Sequence, residues 1–174
     1  MSIDKNIQHT VKLAEQVCQQ KGRQLTQKRR QVLTLLLLTD KAISAYELIE
    51  LFEMHFDKTL TPMTAYRSLD FLNEMHLAHR LNTANKYIAC AHIGSDISHQ
   101  LPHFLICQQC LRVDELITQT SNSLNDINHR AQEFGYQLCS PQIELNCICN
   151  SCLAENASQT RADTKQNVSL AEKI

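Results

Sequence analysis

Two Cys-x-x-Cys pairs, Cys107/Cys110 and Cys149/Cys152, constrain this chain more than any other feature. Each pair sets two thiols on one tight knuckle, and two knuckles together supply the four sulfurs of a closed tetrahedral zinc site. The intervening residues 111–148 are too many for one zinc finger and enough for a small α/β unit stapled at both ends. The rival redox reading needs one Cys-x-x-Cys at a helix N-terminus after a strand, not two matched pairs. Eight Cys and eight His make the composition metal-leaning. The longest apolar run, Leu35 to Leu38, is far too short to span a membrane, and the first residues show no signal pattern. Both observations predict a cytoplasmic protein, whose thiols stay reduced and whose paired cysteines bind metal.

The net charge of −1 hides an asymmetry. Residues 1–90 hold 12 Lys and Arg against 9 Asp and Glu, a net of +3; residues 91–174 hold 5 against 9, a net of −4. The excess gathers at Lys21, Arg23, Lys28, Arg29 and Arg30. A front half that meets polyanions and a back half that does not is the simplest reading.

Periodicity predicts the elements of the front half. Ile7, Val11, Ala14 and Cys18 form the stripe of a first helix ending near Gly22. Thr26 caps a second over Gln27–Thr39, with Val32, Leu33, Leu36 and Leu37 facing inward. Ser44 to Glu47 reads as a capping box opening a third helix to about Phe56. Thr61-Pro62 opens a fourth to about Met75. Strands over Ala78–Leu81 and Lys86–Cys90 flank a polar turn. Helices followed by a hairpin make a winged helix-turn-helix, with the hairpin as the wing. The predicted fold class is α+β: a winged-helix DNA-binding domain over 1–90, a polar hinge over 91–102, a stapled α/β dimerisation and metal-binding domain over 103–153, and a polar, disordered tail over 154–174. In the back domain, strands are expected at Phe104–Ile106, Leu111–Leu116 and Gln142–Cys147, with a helix from Ser121 or Asn122 to about Phe134.

The fourth helix would present its N-terminal residues, Thr64, Tyr66 and Arg67 among them, to the major groove. Arg67 suits a bidentate contact to guanine, and Tyr66 a thymine methyl or a phosphate. The bland alternative is a surface helix with Tyr66 in the core. Arg23, Lys28 and Arg29 are candidates for phosphate contacts. Further potential ligands flank the hinge: His79, Cys90, His92, His99, His103 and Glu115. Hydrolase and deaminase chemistry needs an open metal position and a general base. No His-x-Glu or His-Glu-x-x-His pattern supplies one, so neither an enzyme nor a small-molecule substrate is expected.

In combination these motifs resemble the ferric uptake regulator family over about residues 5–153. The resemblance is carried by Arg23 to Arg29, Ala42 to Leu48, the Tyr66-Arg67-x-Leu69-Asp70-Phe71-Leu72 run and Ile106-Cys107-x-x-Cys110. Within that family it is most similar to the zinc uptake regulators. The resemblance implies a homodimeric, metal-activated repressor that binds double-stranded operator DNA and controls zinc-uptake genes, with two Zn²⁺ per chain. Structural zinc falls on Cys107, Cys110, Cys149 and Cys152. Regulatory zinc falls on His79, Cys90, His99 and Glu115, with His92 or His103 as substitutes for His99. Tyr46 falls near backbone or base contacts. Regulation by iron or by peroxide and thiol oxidation is the alternative within the family. A ligand set containing a thiolate suits zinc better than ferrous iron. Iron-sensing relatives commonly carry a His pair where this chain has Ala42-Ile43. Cys147 stands beside the second knuckle, where the family usually has Gly; Cys18 and Cys139 read as buried small hydrophobes. In the expected mechanism only the hinge loop tethers wing to back domain without metal. Bound metal then sets the recognition helices of the dimer about 34–36 Å apart, one turn of DNA.

Overall fold

A computed structural model describes residues 5–95, 102–116, 121–139 and 142–155. Its front unit comprises α1 (Lys5–Gln20), α2 (Gln27–Leu38), α3 (Ala45–Phe56) and α4 (Pro62–Glu74), then the antiparallel hairpin of β1 (Ala78–Leu81) and β2 (Lys86–Ala89). α1 buries Val11, Ala14 and Cys18 as its spacing predicts, and Gly22 turns the chain at φ 65° just beyond it.

Two helix starts follow directly from local chemistry. The Ser44 hydroxyl accepts from the Glu47 amide at 3.2 Å, and the Ser44 amide donates to the Glu47 carboxylate at 2.6 Å, closing the capping box. Thr61 accepts from the Thr64 amide at 3.4 Å, and Pro62 occupies the first turn, where a missing N–H costs nothing. At Thr26, by contrast, the side chain makes no cap bond.

α2 departs from its predicted stripe. Val32 through Leu36 are all buried, and Leu37 is only half-buried. The cause is position: α1, α3, α4 and β2 all pack around α2. A helix at the centre of a bundle buries most of its circumference, not one face.

The back unit comprises β3 (His103–Cys107), β4 (Val113–Leu116), α5 (Ser121–Glu133) and β5 (Ile143–Cys147). Sheet order is β4-β3-β5, antiparallel on one side and parallel on the other. β4 starts later than predicted, because Leu111 adopts φ 62° and Arg112 bridges instead to Lys41 in the front unit. Residues 150–155 are helical, so order runs into the first residues of the expected tail. The rest of the tail lies outside the described residues.

Two cores result. The larger packs α1–α4 with Leu77, Ala78 and Tyr87. The smaller joins Ala42 and Leu81 of the front unit to Phe104, Ile106 and Val113 of the back sheet, with Ile88 against it. The hinge loop is therefore not the only tie between the units, contrary to expectation: apolar burial joins them as well. Within the sheet, Phe104 lies opposite Glu115 on one neighbour and Glu144 on the other. Directly opposed residues share a face, so this row presents a buried ring between two carboxylates toward the wing.

Candidate metal centres and nucleic-acid interface

The Cys-x-x-Cys knuckles meet. β3 ends at Cys107, and a turn closed by the Leu111 amide on the Cys107 carbonyl brings Cys110 back. β5 runs parallel to β3 and delivers Cys149 and Cys152 on the helical turn that follows. The four sulfurs gather, with Cys107–Cys152 at 3.9 Å and Cys110–Cys149 at 3.7 Å. A tetrahedron with zinc–sulfur bonds of about 2.3 Å has edges of about 3.8 Å. The donor set fits the metal. Amides of Cys110 and Cys149 donate to the Cys107 sulfur and hold its pKa down at about 6, so a thiolate is prepared there. Cys147 does not join the set; its carbonyl accepts from the Gln108 amide at 2.9 Å.

A second cluster spans the two units. His79 on β1, Cys90 just past β2 and Glu115 on β4 place their donor atoms within 4.8 Å of one another. His79 Nε2 lies 3.3 Å from Glu115 Oε1, with the side chains only 7% and 6% exposed. The Ala91 amide donates to Glu115 Oε2 at 3.0 Å. The His79 ring packs against Phe104, centroids 5.1 Å apart. Burial pushes the Glu115 carboxyl up, but the hydrogen bond and charge of His79 and the Ala91 amide outweigh it, and the pKa ends lowered. Burial, then the neighbouring Glu115 charge, pushes the Cys90 thiol up to about 12. An imidazole, a thiol and a carboxylate withdrawn together from water form an arrangement that a divalent cation compensates.

The other candidates divide. His92 and His103 stand outside the three-donor cluster. The His92 backbone amide donates to the Cys90 sulfur at 3.4 Å. His99 lies outside the described residues. Cys18 is fully buried as expected, whereas Cys139 is exposed, on the irregular stretch after Gly135.

On α4, Tyr66 is 38% exposed and Arg67 is exposed, which removes the reading of Tyr66 as core. Tyr46 at the start of α3 is 64% exposed. Thr64 is half-buried, and its hydroxyl pairs with that of Thr61 at 2.8 Å. Lys28 is exposed. Arg29 stacks on Phe71 at 3.6 Å from the ring centroid, and Arg23 bonds Glu74 at 3.1 Å, so Arg29 fastens α2, and Arg23 the loop before it, to α4.

Spacing left one contact undetected. Glu144 of β5 accepts from the Asn82 amide at 2.6 Å, the Thr83 amide at 3.1 Å and the Thr83 hydroxyl. A lone Glu on a strand carries no motif; only the sheet register reveals its target.

Comparison with known proteins agrees with this arrangement. Residues 20–146 match the profile of the ferric uptake regulator family. The chain is 35% identical over 145 residues to the zinc uptake regulation protein of Escherichia coli K12, covering 83% of this chain and 81% of that one. A zinc uptake regulator complexed with zinc and DNA superposes with a TM-score of 0.78 at 32% identity, covering 88% of this chain and 99% of that one. Holo XcZur superposes with a TM-score of 0.71 at 31% identity, over 83% and 96% of the two chains.

Proposed function

This chain belongs to the ferric uptake regulator family, and we propose on that premise that it is a zinc-responsive transcriptional repressor acting as a homodimer on operator DNA of zinc-uptake genes. The observation that carries the reading is the His79, Cys90 and Glu115 cluster, which draws its donors from both sides of the hinge. The thiol donor favours zinc over ferrous iron. Membership in a family of regulators leaves no enzymatic role. Among the described residues no helix is long and apolar enough to cross a membrane.

Two zinc sites per chain are proposed. Cys107, Cys110, Cys149 and Cys152 hold the structural one; His79, Cys90 and Glu115 hold the regulatory one, with His99 as the fourth ligand. Residues 1–90 are the DNA-binding domain, 91–102 the hinge, 103–153 the dimerisation domain and 154–174 the tail. A second copy of the chain suits the apolar side chains left in the open on the back unit: Ile127, Phe134 (80% exposed), Tyr136, Leu145 and Leu153. Tyr66 and Arg67 read bases, while Tyr46, Thr64, Arg23, Lys28 and Arg29 position the helix, with Arg23 and Arg29 also bracing it.

When bound at the regulatory site, zinc supplies a doubly charged centre that a thiolate, an imidazole and a carboxylate share. His79 and Cys90 then hold the wing to Glu115 on the back sheet. The Ala91 amide fixes one Glu115 oxygen and leaves the other facing His79. Phe104 shields the pair from water. A wing fixed to the dimerisation sheet fixes the recognition helices of the two copies relative to each other. The ordering cost then falls on metal binding rather than on DNA binding. A 10- to 100-fold gain in operator affinity corresponds to about 1.4–2.7 kcal/mol of coupling, and operator DNA must tighten zinc binding by the same factor.

The test is operator binding titrated against buffered free zinc and free iron, for the wild-type chain and for Cys90→Ser. The wild type should respond to zinc and not to iron; Cys90→Ser should lose the zinc response while remaining a folded dimer. A normal zinc response in Cys90→Ser, or an equal response to iron, overturns the assignment.

A further inference from the structure

Beside the apolar contact of Leu81 and Ile88, polar side chains of the back sheet meet the wing at two places among the described residues, and one of them is the cluster of His79, Cys90 and Glu115. Glu115 and Glu144 stand level on either side of Phe104, one on each outer strand. They reach different parts of the same hairpin. Glu115 meets His79 within β1. Glu144 meets the turn beyond it, where one oxygen accepts the Asn82 amide and the other accepts both the amide and the hydroxyl of Thr83. Gln142, two residues before it on the same edge, donates to the Arg80 carbonyl at 2.9 Å and also to Glu144. The turn is braced internally by Arg80 donating to the Asn85 side chain at 2.8 Å.

The bonds of Glu144 to Asn82 and Thr83 join residues far apart in sequence and cross from one unit to the other. Their donors are N–H and O–H groups aimed at a carboxylate, a charge-assisted arrangement that needs no cation. Backbone amides are fixed donors, so the contact specifies the position of the turn and not merely its proximity.

We propose that Glu144 is a metal-independent clamp on the wing turn, a positioning residue that holds one end of the hairpin to the back sheet so that the regulatory site need only close the other. Opening is then a swing about the turn rather than free separation on the hinge loop. The metal-binding conformation stays well populated without metal, which lowers the ordering cost of zinc binding. The effect on zinc affinity rests on the regulatory-site assignment above; the clamp itself does not.

Amide hydrogen exchange on the full-length chain with its structural zinc tests the clamp. Asn82 and Thr83 amides should be protected in the wild type and equally in Cys90→Ser, which disables the regulatory site. Glu144→Ala should lower their protection tenfold or more. Glu144→Gln, which keeps the shape but one acceptor only, should lower it at one of the two. Loss of protection in Cys90→Ser overturns metal independence, and unchanged protection in both Glu144 variants overturns the clamp. Competition with a zinc chelator, using zinc alone as the probe, gives the second reading. Zinc affinity at the regulatory site should fall about tenfold in Glu144→Ala with total zinc at saturation unchanged; an unchanged affinity overturns the positioning role. A wild type that binds only the structural zinc would defeat the regulatory-site assignment, while the exchange measurement would still decide the clamp.

Discussion

In the front unit Leu33, Leu36, Leu48, Phe52, Leu69 and Leu72 are all fully buried among four helices. In the back unit no described side chain of α5 is buried, and the sheet's share of the core is Phe104, Ile106 and Val113, packed on residues of the front unit. Each fully buried Leu or Phe is worth about 1.5–3 kcal/mol, so the helices are held by what they withdraw from water. The back unit has too little such surface to fold on it alone. Its order depends on four sulfurs, on the front unit, and on whatever covers Phe134 and Tyr136. One region is a hydrophobic-core structure; the other is an assembly of cross-links. The second kind of structure suits a part that must answer to metal, because its ties can be made and released one at a time.

The sharpest way to break this contrast is Cys107→Ser. Structural zinc contributes about 10–16 kcal/mol of apparent binding free energy in small zinc units, more than a unit of this size has to spare. The back sheet and the dimer should be lost, read by amide exchange and sedimentation, while helical circular dichroism of the front unit persists. Concerted loss of the front helices would erase the distinction. Next in size is Leu69→Ala, which leaves a cavity where α4 meets its neighbours. It should cost about 2–5 kcal/mol in front-unit stability with zinc content unchanged. Arg67→Ala should cost about 1–3 kcal/mol of operator affinity and relax specificity at one base position, with no effect on either core. Uniform weakening across all DNA sequences would make Arg67 a phosphate contact instead.

The smallest effect concerns acid. The Ser44 amide, and beyond it Lys86 at 3.0 Å, hold the Glu47 carboxyl below its ordinary range. A lowered folded pKa stabilises above the unfolded value and is lost as pH falls through the folded one. Unfolding titrations should therefore show the α3 cap contributing at neutral pH and fading below about pH 4. The loss should be at most about 1 kcal/mol, since the group is half exposed and its ion pair is screened. Glu47→Gln should flatten that slope and leave the back unit untouched.

What could be read from the residues follows the same division. Helix spacing, the Ser44 capping box and Thr61-Pro62 placed α1, α3 and α4 within a residue or two, because amphipathic helices announce their buried faces locally. The central position of α2 has no local signature, and Leu35 was missed for that reason. Cys107, Cys110, Cys149 and Cys152 were legible because ligand spacing within a knuckle is short-range. His79, Cys90 and Glu115 were readable as members of a set only through family resemblance, since three strands must assemble before they meet. His92 and His103, the candidate substitutes for His99, stand outside the three-donor set, while His99 itself lies outside the described residues. Glu144 was invisible altogether, and Cys139 was expected in the core but lies exposed beyond α5.

The row formed by Glu115, Phe104 and Glu144 makes three strands answerable to one alignment. Strand side chains alternate faces, so inserting a single residue early in β3 would turn Phe104 away from the wing and offset it from both glutamates together. Neither the cation cluster nor the turn contact could survive such a change by itself. A length change within β3 should therefore be rejected outright, since it strikes both contacts at once.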